Sequence, residues 1–470
     1  MKSWNSIRPA RLLAVCVAGF AVCAASPPSA SAQQVSLDVG VCNPVMLAGE
    51  KQTNYLRIAL TGSDLPQSES RPPINAAIVI DQSGSMSGQK IVQAREAAIT
   101  AVRRLRDDDI VAVILYADSA HVLVPATRAT DREAIVEKIR SVNAGGSTAL
   151  FAGVSKGAAE VRKFLDSDSV NRVILLSDGQ ANVGPQSPRE LERLGASLVK
   201  EGISVSTLGL GLGYNEDLMS RLAAAGSGNH MFVEQADDLV AVFQREFNDL
   251  MSVVANDFEI HARIGEGIRP VRVLNTKADI SGQDIYIPLA QLYARQERYF
   301  VIEVEVDAGH VGDSRTMANV SVKYRNLISE TRDKLTSRVE IRFTDDQESV
   351  AKHRDAETYA YCALQIANEK NVRATALRDA GRIEEAEQLL MKNSDELRQI
   401  EMDYGVQLGK VIKDELKRNI NLNSAQSSII ADPKKWSAGR KAMRYEQSNN
   451  ASQQNQRVAP PSKSPPSGGN

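Results

Sequence analysis

The stretch Asp81-Gln82-Ser83-Gly84-Ser85 sets one carboxylate and two hydroxyls close together, the serines at spacings of two and four from the aspartate. It directly follows the apolar run Ala76 to Ile80, so the three oxygens stand on one tight loop at a strand end. Two further segments have the same character: Gly145-Gly146-Ser147-Thr148 lies just before a helical pattern, and Ser177-Asp178-Gly179 caps the apolar run Val173 to Leu176. Asp81, Ser83, Ser85, Thr148 and Asp178 together offer hard oxygen donors and neither sulfur nor imidazole. That donor set suits magnesium, with calcium or manganese as alternatives, rather than zinc. Magnesium takes six oxygens and keeps some water; if the hydroxyls bind directly and the aspartates partly through water, one position stays open. A single loop of this type is also an ordinary turn and helix cap; three that converge are better read as a metal site.

Convergence needs a scaffold, and the hydrophobic pattern supplies one. Ala76 to Ile80, Ile110 to Tyr116 and Val173 to Leu176 are continuously apolar, and Ile203 to Leu210 is apolar apart from the small Ser204, Ser206 and Thr207, as parallel strands covered on both faces are. Between them run helical periods: Ile91, Ala94, Ala98, Val102 and Leu105 after the first strand, and others after Asp131, Thr148, Pro188 and Asn215, with a last one ending near Val254. Strands alternating with helices predict a doubly wound, Rossmann-like α/β domain over residues 74–256. Ligands of such sheets sit beyond the carboxyl ends of the strands, at a topological switch point.

With these residues in place, the stretch resembles a von Willebrand factor type A domain, and the three loops resemble its metal-ion-dependent adhesion site. Asp81, Ser83 and Ser85 match the DxSxS motif, Thr148 the threonine of the second loop and Asp178 the aspartate of the third. Thr148, rather than Ser147, takes the second-loop role because it lies five residues before Gly153 in the following helix. The resemblance implies a non-enzymatic binding module in which an Asp or Glu carboxylate of a protein partner completes the coordination of the ion. The chain further resembles a group of exported bacterial proteins that carry this domain.

The flanks have a different period. Val35, Leu37, Val39 and Val41 alternate, Tyr55 to Leu60 offers a second strand, and a Pro- and Ser-rich stretch from Leu65 to Pro73 reads as a linker. After Asp257 the period of two returns in Phe258 to Arg263, Ile285 to Leu289, Tyr299 to Val306, Asn319 to Tyr324 and Arg338 to Phe343. Residues 33–73 and 257–345 are therefore expected to build one β-sandwich together, with the α/β domain inserted. From Asp355 a helical stripe returns, and Gly381 marks the turn of a helical hairpin within a helical region 346–444. Residues 445–470, rich in Ser, Asn, Gln, Pro and Gly, read as a disordered tail.

Residues 1–32 read as a cleaved secretory signal: Lys2, Arg8 and Arg11 precede an apolar stretch from Leu12 to Ala25, and small residues follow at Ser29 to Ala32. Cleavage would remove three basic and no acidic residues, taking the formal charge from −2 to −5 and starting the chain near Gln33. That implies a bacterial periplasm or cell surface. Beyond the signal no run of about 20 apolar residues remains to span a membrane. A balance of 56 basic against 58 acidic residues argues against nucleic acid as a partner. Cys42 and Cys362 could pair or remain two buried thiols.

Other features carry less chemistry. Asp107-Asp108-Asp109 reads as a solvated turn, Gly209 to Gly213 as a tight turn without the Lys and Ser or Thr of a phosphate loop, and His230 as a strand residue. The alternative function is a magnesium-dependent phosphoryl transferase or hydrolase with Asp81 as nucleophile. Against it, Ser83 stands where such an enzyme needs a second aspartate as acid and base.

Overall fold

The computed structural model describes residues 34–65 and 71–454; the expected signal, with Cys16 and Cys23, and the end of the expected tail lie outside the described residues. The described chain begins with β1 (Val35–Val41), β2 (Val45–Leu47) and β3 (Gln52–Gly62). The α/β part follows with β4 (Ile74–Asp81), α1 (Gln89–Arg103), β5 (Ile110–Tyr116), β6 (Ala120–Arg128), α2 (Arg132–Arg140) and α3 (Leu150–Arg162). It continues through β7 (Val170–Ser177), α4 (Pro188–Lys200), β8 (Ser204–Leu210), α5 (Glu216–Ala225), β9 (Ser227–Val233) and α6 (Leu239–Leu250).

These strands form one sheet in the order β6-β5-β4-β7-β8-β9, parallel except for the antiparallel edge strand β6. Every residue of β4, β5, β7 and β8 is buried, which is why β4, β5 and the end of β7 are apolar without alternation, while β8 also buries Ser204, Ser206 and Thr207. One face packs Ile91, Ile135 and Phe243 of α1, α2 and α6; the other packs Leu150, Leu191 and Leu218 of α3, α4 and α5. Local signals start several of these helices: Asp131 and Asn215 cap α2 and α5, and Ser187 with Glu190 forms a reciprocal capping box ahead of Pro188. His230 lies in β9, as expected. The last helix ends at Leu250, short of the expected Val254, because Val253 and Val254 already open the next strand.

Then come β10 (Val253–Ile264), β11 (Ile268–Val273), β12 (Asp279–Ser281), β13 (Asp284–Tyr293), β14 (Glu297–Val306), β15 (Ser314–Asn326) and β16 (Thr331–Thr344). Strands from before and after the α/β part share both sheets, ordered β1-β3-β14-β11 and β12-β13-β10-β15-β16-β2. In the first, β3 lies antiparallel to β14 from Gln52 opposite Val306 to Thr61 opposite Glu297; in the second, β2 runs parallel to the end of β16. Leu56, Ile58, Leu60, Ile260, Ile302 and Val320 fill the core between the sheets.

The C-terminal part holds α7 (Gln347–Lys352), α8 (Ala356–Asp379), α9 (Ile383–Tyr404), α10 (Lys410–Ala431) and α11 (Trp436–Ser452). The expected hairpin is α8 and α9, turning at Gly381 with φ +80°, and two more long helices join it. Ala360, Tyr361 and Leu364 of α8 pack on Ala59, Tyr299 and Val301 of the sandwich. The expected disorder from residue 445 is corrected through Ser452, where α11 is helical. Its amides are buried: Gln447 Nε2 donates to Asn371 Oδ1 at 2.7 Å and to Thr375 Oγ1 at 2.8 Å. Polar composition signals disorder only where such groups lack internal partners. Lys441 of the same helix donates to the Tyr214 carbonyl at 3.0 Å and to Glu216 at 2.6 Å, tying α11 to the start of α5.

One smaller expectation is corrected, and one open alternative is resolved. Asp109 is fully buried rather than solvated; it accepts from Arg71 Nη1 at 2.9 Å and from the Ile74 amide at 2.9 Å. Arg71, placed in the linker by its sequence, therefore anchors the entrance to β4. Cys42 and Cys362 are both free and buried.

Candidate metal centre

β4 and β7 lie side by side at the centre of the sheet, and the helices that follow them go to opposite faces. Their carboxyl ends therefore bracket the switch point. Asp81 ends β4 and Ser177 ends β7, with Asp178 next in the chain.

Asp81 is held from below by neutral donors. Its Oδ1 accepts the Ser83 amide at 2.8 Å, which folds the loop back on itself; Oδ2 accepts Ser177 Oγ at 2.8 Å and Tyr116 OH at 3.3 Å. The carboxylate is 0% exposed, and burial raises its pKa above the ordinary aspartate value, against the opposing effect of the hydrogen bonds from Ser83 and Ser177. Among the described residues no cationic side chain forms an ion pair with it.

The three loops meet above this base. Ser83 Oγ and Ser85 Oγ are 3.1 Å apart, and Ser85 Oγ donates to Asp178 Oδ1 at 2.7 Å. The second loop is sewn to the first by the Gly145 amide on the Gln82 carbonyl, 2.6 Å, and the Gly84 amide on the Gly146 carbonyl, 2.9 Å. Gly179 shows where Thr148 sits: a Cβ there would stand 3.1 Å from Thr148 Oγ1 and 3.5 Å from Ser85 Oγ. All five side chains named from the sequence thus converge. Ser147 instead gives its amide to Asp118 at 2.9 Å, and Asn182 Oδ1 takes the Thr148 amide at 2.7 Å. Asp81, Ser83, Thr148 and Asp178 are buried while Ser85 is exposed, so the cluster is a cup open on the side of Ser85.

A divalent ion fits this cup on the chemistry of its donors: two buried carboxylates, one without a cationic partner, and three hydroxyls. Sequence reasoning missed the support beneath it, although Ser177 was named with the third loop. Tyr116 and Ser177 reach Asp81 only through the fold, and Lys90, whose ammonium binds Asp178 Oδ2, was not singled out at all. One signal pointed to Lys90: a cation in the first turn of a helix opposes the helix dipole unless an anion lies close by.

A doubly wound sheet with an oxygen site at its switch point defines a class, and comparison with known proteins agrees: residues 75–245 match the family model for the von Willebrand factor type A domain. That segment of the chain is a von Willebrand factor type A domain. Uncharacterized protein YfbK of Escherichia coli (strain K12) is 29% identical over 209 residues, 44% of this chain and 36% of that protein. Uncharacterized protein sll0103 of Synechocystis sp. is 25% identical over 279 residues, 57% of this chain and 65% of that one. The matched stretch thus spans between about a third and two thirds of these relatives. A von Willebrand factor type A structure from Catenulispora acidiphila shares the fold at TM-score 0.69 and 17% identity, covering 92% of this chain and 99% of its own.

Proposed function

We propose that the chain is an exported, metal-dependent protein-interaction module whose metal face receives an Asp or Glu carboxylate of a protein partner. The observation that carries this reading is the convergence of Asp81, Ser83, Ser85, Thr148 and Asp178 from three loops at the switch point. Membership supports it, since von Willebrand factor type A domains are metal-dependent adhesion and protein-interaction modules. Those five residues would hold the ion, magnesium in our reading with calcium or manganese as alternatives; when bound, it supplies positive charge and an open coordination position. Two aspartates at most neutralise a dication, so the loaded cup carries no net negative charge to repel a partner carboxylate. The protein's own part is orientation: Ser177 and Tyr116 fix Asp81, and the Ser85 hydroxyl fixes Asp178.

The basic-then-apolar pattern of residues 1–32 supports export to a bacterial periplasm or surface. Among the described residues no helix is long and apolar enough to cross a membrane. A nucleophilic role for Asp81 fits less well, because both its oxygens already accept hydrogen bonds and the residue is buried. The test is a pull-down from envelope extract with magnesium and then with chelator, using the wild type and Asp81→Ala. Specific capture that depends on metal and on Asp81 is expected; equal capture in chelator would remove the reading.

A further inference from the structure

Lys90 is the second residue of α1, whose first turn contains no acidic side chain. A lysine there works against the helix dipole. Its ammonium nevertheless turns back into the cup, donating to Asp178 Oδ2 and to the Ser85 carbonyl at 3.3 Å. The Asp178 side chain is 0% exposed and the Lys90 side chain 34%, so the pair closes the cup at its rim. The other Asp178 oxygen is taken by the Ser85 hydroxyl. The lysine thus engages two of the residues assigned to the metal, one through its side chain and one through its backbone.

We propose that Lys90 is a built-in competitor for the metal ion, which lowers the affinity of the site and leaves it positively charged once an ion is bound. The inference rests on the metal-site reading above and adds how that site is set. Without an ion, Asp81, Asp178 and Lys90 sum to one negative charge; a dication turns this into one positive charge, which a single partner carboxylate neutralises. Were Lys90 absent, the loaded site would be neutral and would attract a carboxylate less. An ion that binds Asp178 must either displace the ammonium or bind beside it against their mutual repulsion. Space for displacement exists: Gly211, at φ +72°, carries no side chain, and a Cβ there would lie only 3.8 Å from Lys90 Cε and Nζ. Beyond it Leu212 and Gly213 are exposed, so the ammonium can move off Asp178 along the rim of the cup and still add its charge there.

The experiment is a calorimetric titration with manganese chloride of the full chain as wild type, Lys90→Gln, Lys90→Arg and Asp81→Ala, each checked for a folded circular dichroism spectrum. Lys90→Gln should bind manganese about tenfold more tightly than wild type, equivalent to about 1.4 kcal/mol. Lys90→Arg keeps the charge and should bind no more tightly than wild type, and Asp81→Ala should not bind. Wild type and Lys90→Gln binding equally, or the glutamine variant binding more weakly, overturns the competitor while leaving the metal site standing. Wild type and Asp81→Ala binding equally overturns the metal site itself, and the absence of binding by both wild type and Lys90→Gln overturns both.

Discussion

Replacing Asp81 by asparagine should stabilise the metal-free protein and at the same time remove its response to metal. The wild-type carboxylate is 0% exposed and accepts hydrogen bonds from the Ser83 amide at 2.8 Å, Ser177 Oγ at 2.8 Å and Tyr116 OH at 3.3 Å. Hydrogen bonds to a charged group contribute about 1.5–3 kcal/mol each, whereas desolvating a carboxylate costs several kcal/mol even after relaxation. Burial is the largest influence on the Asp81 pKa and raises it, so desolvation outweighs the hydrogen bonds and the ionised form is a net liability. An amide of the same shape keeps its oxygen on the Ser83 amide and can donate to the hydroxyl oxygens of Ser177 and Tyr116. In chelator, Asp81→Asn should therefore unfold about 1 kcal/mol later than wild type. With magnesium at a hundred times its dissociation constant, wild type should gain about 2.7 kcal/mol and the variant nothing, reversing their order. The sign with pH follows: a carboxyl whose folded pKa lies above its unfolded value loses stability as pH rises through that interval, so chelated wild type should weaken there and the variant should not. Urea unfolding in chelator and in magnesium, at several pH values, reads all of this. A variant less stable than wild type in chelator would refute the argument, because it would mean that the hydrogen bonds outweigh the buried charge.

Three further outcomes are expected. Arg172 and Glu246 are both fully buried and paired at 2.6 Å, with Tyr293 OH taking Arg172 Nη2 at 2.8 Å, so Glu246→Ala should cost about 3–5 kcal/mol in urea unfolding, and pairing it with Arg172→Met should recover part of that loss. Burial lowers the His230 pKa to about 4, so the neutral ring contributes stability that is full above pH 6.5 and is lost as pH falls toward 4, about 3 kcal/mol in all; His230→Asn should flatten that slope. A Cβ on Gly153 would meet Tyr116 Cδ1 at 2.8 Å, so Gly153→Ala should cost about 1–3 kcal/mol and, by shifting the ring whose hydroxyl holds Asp81, weaken manganese binding measured by calorimetry.

What the sequence alone determined is local in origin. Asp81, Ser83 and Ser85 share one loop, so their spacing already shows that three oxygens can face one ion. β4, β5 and β7 are covered on both faces, so their apolar runs identify them and imply where loops must gather. The alternating runs on either side likewise foretold strands, because one face of each is solvated or half-covered.

Tertiary structure decided whatever depends on groups far apart in the chain. Lys90 and Asp178, and Arg71 and Asp109, are pairs whose residues carry no mutual mark, since a charge run or a lone lysine is usually solvated and only packing takes it out of water. The pairing of β3 with β14 and of β2 with β16 is chosen by which apolar faces can close on one another, and the three-residue β2 and β12 are too brief to show a period of their own. The polar stretch after Tyr445 is the sharpest case. Read by composition it cannot build a core, yet Asn371, Thr375 and Gln447 satisfy one another inside the helical bundle. A buried amide is tolerated when its partners are also buried, and partners contributed by another helix cannot be read from the segment itself.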